Sequence, residues 1–203
     1  MSDAKLVDLI AAIAAGDEAR TGKMLEKQPD LARKALDGGA TRQRSNEFFF
    51  AKINHYAYEG DTALHIASAA YDLEMVRALL ALGADVLAAN RRGANPLHYA
   101  ADGAPGSAHW SPRAQASVIA YLIKRGADPN ARDKSGVTPL HRAIRTRCAA
   151  AVRALLKGGA DASLPNEKAS TPMDLAVKQT GRGGSGSPEA KRQQAEIIRL
   201  LSA

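Results

Sequence analysis

The chain has 203 residues, of which 45% are hydrophobic, 24% charged and 4% aromatic, and its formal net charge is +7. That apolar share excludes wholesale disorder, and no apolar run approaches a membrane span. One cysteine, Cys148, excludes a disulfide framework and a multi-cysteine zinc site. Scarce aromatics beside abundant Ala and Leu point to closely packed small helices in one or two domains.

Residues 6–15 imitate a signal peptide behind Lys5, but Asp3 and Asp8 place negative charge where a cationic leader and an unbroken apolar stretch belong. Leu6, Ile10 and Ile13 recur at helical spacing and Gly16 stops the run. The spacing therefore predicts a helical hairpin over residues 1–36, broken at Gly16 and ended near Pro29, in a cytoplasmic chain. Residues 37–54 read as a linker that holds all three phenylalanines, Phe48, Phe49 and Phe50. These are expected to lie over the neighbouring core rather than to form a binding patch.

Downstream, a four-residue box returns as Thr62-Ala63-Leu64-His65, Asn95-Pro96-Leu97-His98, Thr138-Pro139-Leu140-His141 and Thr171-Pro172-Met173-Asp174. Its last positions are 33, 43 and 33 residues apart, and a Gly-Ala-Asp marker at Gly83, Gly126 and Gly159 keeps the same phase, with steps of 43 and 33. In each box Thr or Asn suits a helix cap, Pro suits the first turn, and Leu faces the core. A second helix follows each of the first three boxes, carried by Met75, Val76, Leu79 and Leu80, by Val118, Ile119, Leu122 and Ile123, and by Val152, Leu155 and Leu156. No single unit buries such a face alone, so the units must stack.

These boxes resemble the ankyrin repeat, whose 33-residue period and T-P-L-H-x-A signature they follow over residues 58–201. The departures are Asn95 for Thr, Ala63 for the first Pro, Asp174 for the last His, and Ala169 for a turn glycine. The resemblance implies an all-α solenoid of helix-turn-helix repeats joined by hairpin-like loops, with an N-terminal helical cap. The repeats fall at about 57–89, 90–132, 133–165 and 166–203 within a domain 55–203. It also implies a non-catalytic scaffold that binds a partner protein through its loop tips and concave face, without cofactor or metal. Two insertions, 102–112 and 180–188, read as surface loops or dedicated contacts, and Trp110 tilts the first toward contact. Pro188 and Glu189 then start a final helix with Ile197, Ile198, Leu200 and Leu201.

Charge is polarised along the chain. Residues 55–90 hold Arg77 against Glu59, Asp61, Asp72, Glu74 and Asp85, a net of −4, whereas residues 91–133, 134–166 and 167–203 carry +3, +5 and +2. By the resemblance, the tips hold Tyr58, Glu59 and Asp61; Arg91 and Arg92; Lys134, Ser135 and Val137; and Glu167, Lys168 and Ser170. The exposed ends of the first helices hold Asp102, Arg145, Thr146, Lys178 and Gln179, with Arg142 one turn before Arg145. A groove with this many cations suits an acidic or mixed-charge partner. Charge reversal at Arg142 and Arg145 is expected to weaken binding without unfolding the chain.

Other chemistry finds less support. Residues 16–23 imitate a phosphate loop but have one residue too many, and Met24 follows where the metal-binding Ser or Thr belongs. The glycines at 181–186, with Ser185 and Ser187, complete no nucleophile elbow. His65, His98 and His141 occupy equivalent positions and read as structural backbone bridges, and Cys148 as a packing residue. Nucleic-acid binding through the basic repeats is the weaker macromolecular reading, since no regular aromatic ladder accompanies the charge. A small-molecule or enzymatic site beneath the linker and insertions, with His55, His109 and Trp110, is the remaining alternative.

Overall fold

A computed structural model of the chain describes residues 3–105, 110–178 and 188–202. Its helices are α1 Asp3–Ala15, α2 Glu18–Lys27, α3 Ala63–Ala69, α4 Leu73–Ala81, α5 Pro96–Ala101, α6 Pro112–Lys124, α7 Pro139–Arg145, α8 Ala149–Lys157, α9 Pro172–Val177 and α10 Pro188–Leu201. The first helices stack as one layer, α1 on α3, α3 on α5, α5 on α7 and α7 on α9, and α4, α6, α8 and α10 form the other. The expected all-helical solenoid is present.

The four boxes place the helix starts. Thr62, Asn95, Thr138 and Thr171 adopt extended backbone as N-caps, and each makes a reciprocal capping box with His65, His98, His141 or Asp174 three residues on. Such a cap contributes about 1 kcal/mol. In the other layer Asp72 and Ser111 accept the amides of Met75 and Ala114, but Cys148 offers α8 no comparable acceptor. Gln193 of α10 supplies it, its Oε1 accepting the Ala149 amide at 2.9 Å. Gly83, Gly126 and Gly159 follow α4, α6 and α8 in the left-handed region, at φ of 86°, 100° and 93°.

The core lies between the layers. Leu64, Leu97 and Leu140 from the first helices and Val76, Leu79, Val118, Ile119, Leu122, Val152 and Leu155 from the second are wholly buried. Leu6, Leu9, Ile10 and Ile13 extend it into α1, which ends at Gly16 with φ of 68°. Phe48 joins this core at 8% exposure, whereas Phe49 is 36% exposed. The linker is thus not a passive tether. It forms an antiparallel hairpin, β1 Phe49–Phe50 with β2 His55–Tyr56, in the register Phe49 to Tyr56 and Phe50 to His55. Lys52 at its turn donates to the Ala15 carbonyl at 2.5 Å, tying the hairpin to the end of α1.

Candidate functional site

The loop tips of successive units are joined by backbone hydrogen bonds. Leu36 donates to Asp61 at 2.9 Å, Arg91 to Glu59 at 2.8 Å, Lys134 to Arg92 at 2.9 Å and Glu167 to Ser135 at 3.1 Å. Within a tip, one side chain organises the turn. Asn90 Oδ1 accepts the amides of Arg92 and Ala94, Asp133 Oδ1 those of Ser135 and Val137, and Asn166 Oδ1 those of Lys168 and Ser170. Glycine permits the close approach: a Cβ at Gly93, where φ is 76°, would lie 2.9 Å from the Lys134 amide. Ala169 takes the equivalent left-handed conformation at φ of 54°. It does so at a cost of about 1 kcal/mol.

Side chains then lock neighbours together. Nε2–H of His65 donates to the Ala94 carbonyl at 3.1 Å, that of His98 to Val137 at 3.0 Å and that of His141 to Ser170 at 3.1 Å. Burial lowers the pKa of all three, and that of His98 falls to about 4. They are structural bridges, as their repeat positions imply. The first junction carries an additional buried knot. Asp61 accepts the Tyr58 amide at 2.6 Å, the Tyr99 hydroxyl at 2.6 Å and the Asn90 amide group at 2.9 Å, with His65 Nε2 at 3.7 Å.

An ionic cluster sits at the ends of α5 and α7. Arg142 donates to Asp102 at 2.9 Å and to Asp133 at 3.2 Å, and Arg145 reaches Asp102 at 3.5 Å. His55 from the hairpin completes it, with Nε2 3.6 Å from Asp102 and its ring stacked on Tyr99 at 4.4 Å. Burial alone would raise the Asp102 pKa, but Arg142, His55 and Arg145 outweigh it and hold this carboxyl well below the usual carboxylate range. The hairpin therefore reaches from the end of α1 to the end of α5 and engages Asp102, a residue expected to meet a partner.

Four sequence expectations change accordingly. Asp61 is 0% exposed, because Ala57 stands where the other tips have Asn or Asp and Asp61 turns inward to hold the Tyr58 amide. Arg142, with a side chain 11% exposed, is consumed by two aspartates. Glutamate there would gather three carboxylates, so charge reversal would report on folding rather than on binding. Asp102 is 18% exposed and internally paired. Trp110 is half-buried, its indole N–H donating to Gln115 of α6 at 2.9 Å, and so packs against the fold rather than projecting from it.

The remaining predicted residues do share one edge. Glu59, Arg91, Arg92, Lys134, Ser135 and Lys168 are exposed on the tips, Arg145 is half-exposed behind them, and Lys178 is exposed at the end of α9. Tyr58 lies half-buried under Arg92 and Arg91, whose guanidinium carbons are 5.0 and 5.6 Å from its ring centre. The exposed Phe49 and Tyr56, whose rings meet tilted at 4.7 Å, adjoin it, with Tyr56 and Tyr58 at 6.4 Å. This aromatic extension was missed because the phenylalanine triplet read as core. His109, Gln179 and the glycine-rich residues 180–187 lie outside the described residues.

A cavity of about 540 Å³ between the hairpin, the end of α1 and the start of the insertion brings His55, Tyr71, Asp102 and Trp110 together. Within it the Tyr71 hydroxyl donates to the Asp102 carbonyl at 2.5 Å, and the Trp110 indole to Gln115. Cys148 is buried and its thiol is pushed up to about 12 by burial, which disarms it as a nucleophile at neutral pH. Among the described residues no group of three His, Cys, Asp or Glu side chains gathers around a common point for a metal. No helix described is long and apolar enough to cross a membrane.

With stacked helix pairs, histidine bridges and linked tips in view, the chain belongs to the ankyrin-repeat family. The family description "Ankyrin repeats (3 copies)" matches residues 26–133, and "Ankyrin repeats (many copies)" matches residues 122–176. Ankyrin repeats are generally protein–protein interaction modules and typically non-enzymatic. Among known proteins, the chain is similar to Notch-regulated ankyrin repeat-containing protein A of Danio rerio, 45% identical over 51 residues, which are 25% of this chain and 46% of that protein. The Notch-regulated ankyrin repeat-containing protein of Homo sapiens matches equally, 45% over 51 residues, 25% of this chain and 45% of that one. The chain thus spans less than half the length of these curated relatives.

Proposed function

We propose that this chain binds an acidic or mixed-charge segment of a partner protein along its tips, without catalysis, in the cytoplasm. The observation that carries the reading is the hydrogen-bonded row of tips, which holds Arg91, Arg92, Lys134, Ser135 and Lys168 along one stiff edge. Preorganisation of this kind reduces the ordering cost of association. Glu59 at the acidic end would meet a basic residue of the partner and fix its direction. Phe49, Tyr56 and Tyr58 offer an aromatic anchor beside the two arginines, the residue types that dominate binding hot spots. Arg145 and Lys178 flank the row. The four internally engaged residues, Asp61, Arg142, Asp102 and Trp110, support the contact surface from within.

The test is affinity capture from the native cell with wild type and an Arg92→Glu, Lys134→Glu, Lys168→Glu variant, with bound proteins compared by mass spectrometry. The variant should melt like wild type and lose its specific partner at least about tenfold, equivalent to about 1.4 kcal/mol. Undiminished capture would remove the tips from the interface. Capture that is nuclease-sensitive and falls steeply with salt would replace the protein partner with nucleic acid.

A further inference from the structure

We propose that the outer face of the solenoid carries a second docking surface, a groove between α6 and α8 that takes one amphipathic helix with acidic flanks from a partner protein. The groove encloses about 860 Å³ and lies in the layer opposite to the tips. Its floor is made by Ala116 and Ala120 of α6 and by Ala150 and Ala154 of α8, with Ile123 at one end. On each helix these alanines are four residues apart and share one face. Above the close contact of the two helices, methyl groups project too little to fill the surface, so a trough remains where longer side chains would cover it.

Charge selects the occupant. Arg113, Lys124 and Lys157 are exposed at the rim and enter no ion pair among the described residues, while Arg153 pairs with Glu196 of α10. An apolar floor with a basic rim fits an apolar helix face flanked by Asp or Glu. With thirteen residues in α6 and nine in α8, the walls run about 20 Å and about 14 Å, enough for two and a half to four turns. A second copy of this chain fits poorly. Its terminal helix α10 carries Lys191, Arg192 and Arg199 against Glu189 and Glu196, and so would bring cation to cation. This surface is independent of the tip row.

The experiment uses the full chain and a fluorescein-labelled fourteen-residue helical peptide with a leucine face and glutamate flanks. A lysine-flanked peptide and a scrambled glutamate peptide serve as controls. Anisotropy gives affinity and amide chemical shifts give location. The glutamate-flanked helix should bind, with shifts confined to α6 and α8. Its affinity should fall at least about tenfold in Ala120→Asp and in Lys124→Glu, Lys157→Glu, and stay unchanged in the tip variant. Circular dichroism checks that each variant is folded; Lys124→Glu, Lys157→Glu keeps the test decisive should Ala120→Asp fail to fold. Equal binding of all three peptides, shifts elsewhere, loss only in the tip variant, or no binding at millimolar peptide would each overturn the proposal. Self-association that Ala120→Asp abolishes would assign the groove to a second copy and overturn it too.

Discussion

Arg142 shows how one side chain changes meaning once its neighbours are known. In sequence it is a cation one turn before another, hence a candidate contact. In the fold it pairs with both Asp102 and Asp133, and burial, which alone would lower its pKa, is outweighed by those carboxylates, which raise it. Removing one partner from a buried pair costs about 3–5 kcal/mol. Arg142→Met should therefore lower unfolding stability by about that much in urea titration, whereas Arg145→Met, at the half-exposed edge, should cost less than about 1 kcal/mol. Equal effects would place the two arginines in equivalent environments. The histidines yield a pH prediction. Burial lowers the folded pKa of His98 to about 4 from 6.5, so between these values the unfolded chain binds a proton that the folded chain excludes. Stability is full above pH 6.5 and falls toward pH 4, by on the order of 3 kcal/mol for His98, with His65 and His141 adding in the same direction. Urea midpoints that stay level from pH 7 to pH 5 would contradict this.

The starts of α3, α5, α7 and α9 were legible because each is written locally: a cap residue, then proline in three of the four and leucine in three of the four, in consecutive positions. The hairpin was not. Its strands are two residues long, too short for an alternating pattern, and Phe48, Phe49 and Phe50 are a core residue, an exposed one and an intermediate one in succession. The substitution of Ala57 for the turn-forming Asn or Asp was the available signal that Asp61 turns inward. Nor does the sequence reveal that α8 takes its cap from Gln193, forty-four residues away along the chain. Replacing Gln193 with Ala should destabilise the molecule by about 1 kcal/mol, with amide exchange accelerated first at the start of α8. Unchanged exchange at Ala149 and its neighbours would show that water satisfies the same amide.

Across the whole molecule, periodicity revealed the stack and its polarity, since nearest-neighbour contacts repeat with the sequence period. The candidate edge was legible for the same reason. Contacts that join non-equivalent positions, such as His55 with Tyr99 and Asp102, carry no period and emerged only in three dimensions.

The junctions, though built to one plan, are unequal. Between the first two units a carboxylate, a phenol and a carboxamide close on one another out of reach of water, whereas the second seam adds to its imidazole bridge and linked tips the Arg142–Asp102 pair, and the third only the outer contacts of Gln193 and Glu196. A ladder with one riveted joint parts elsewhere under load. Pulled from its ends, this molecule should shed its C-terminal units first and keep α3 and α5 paired to the last.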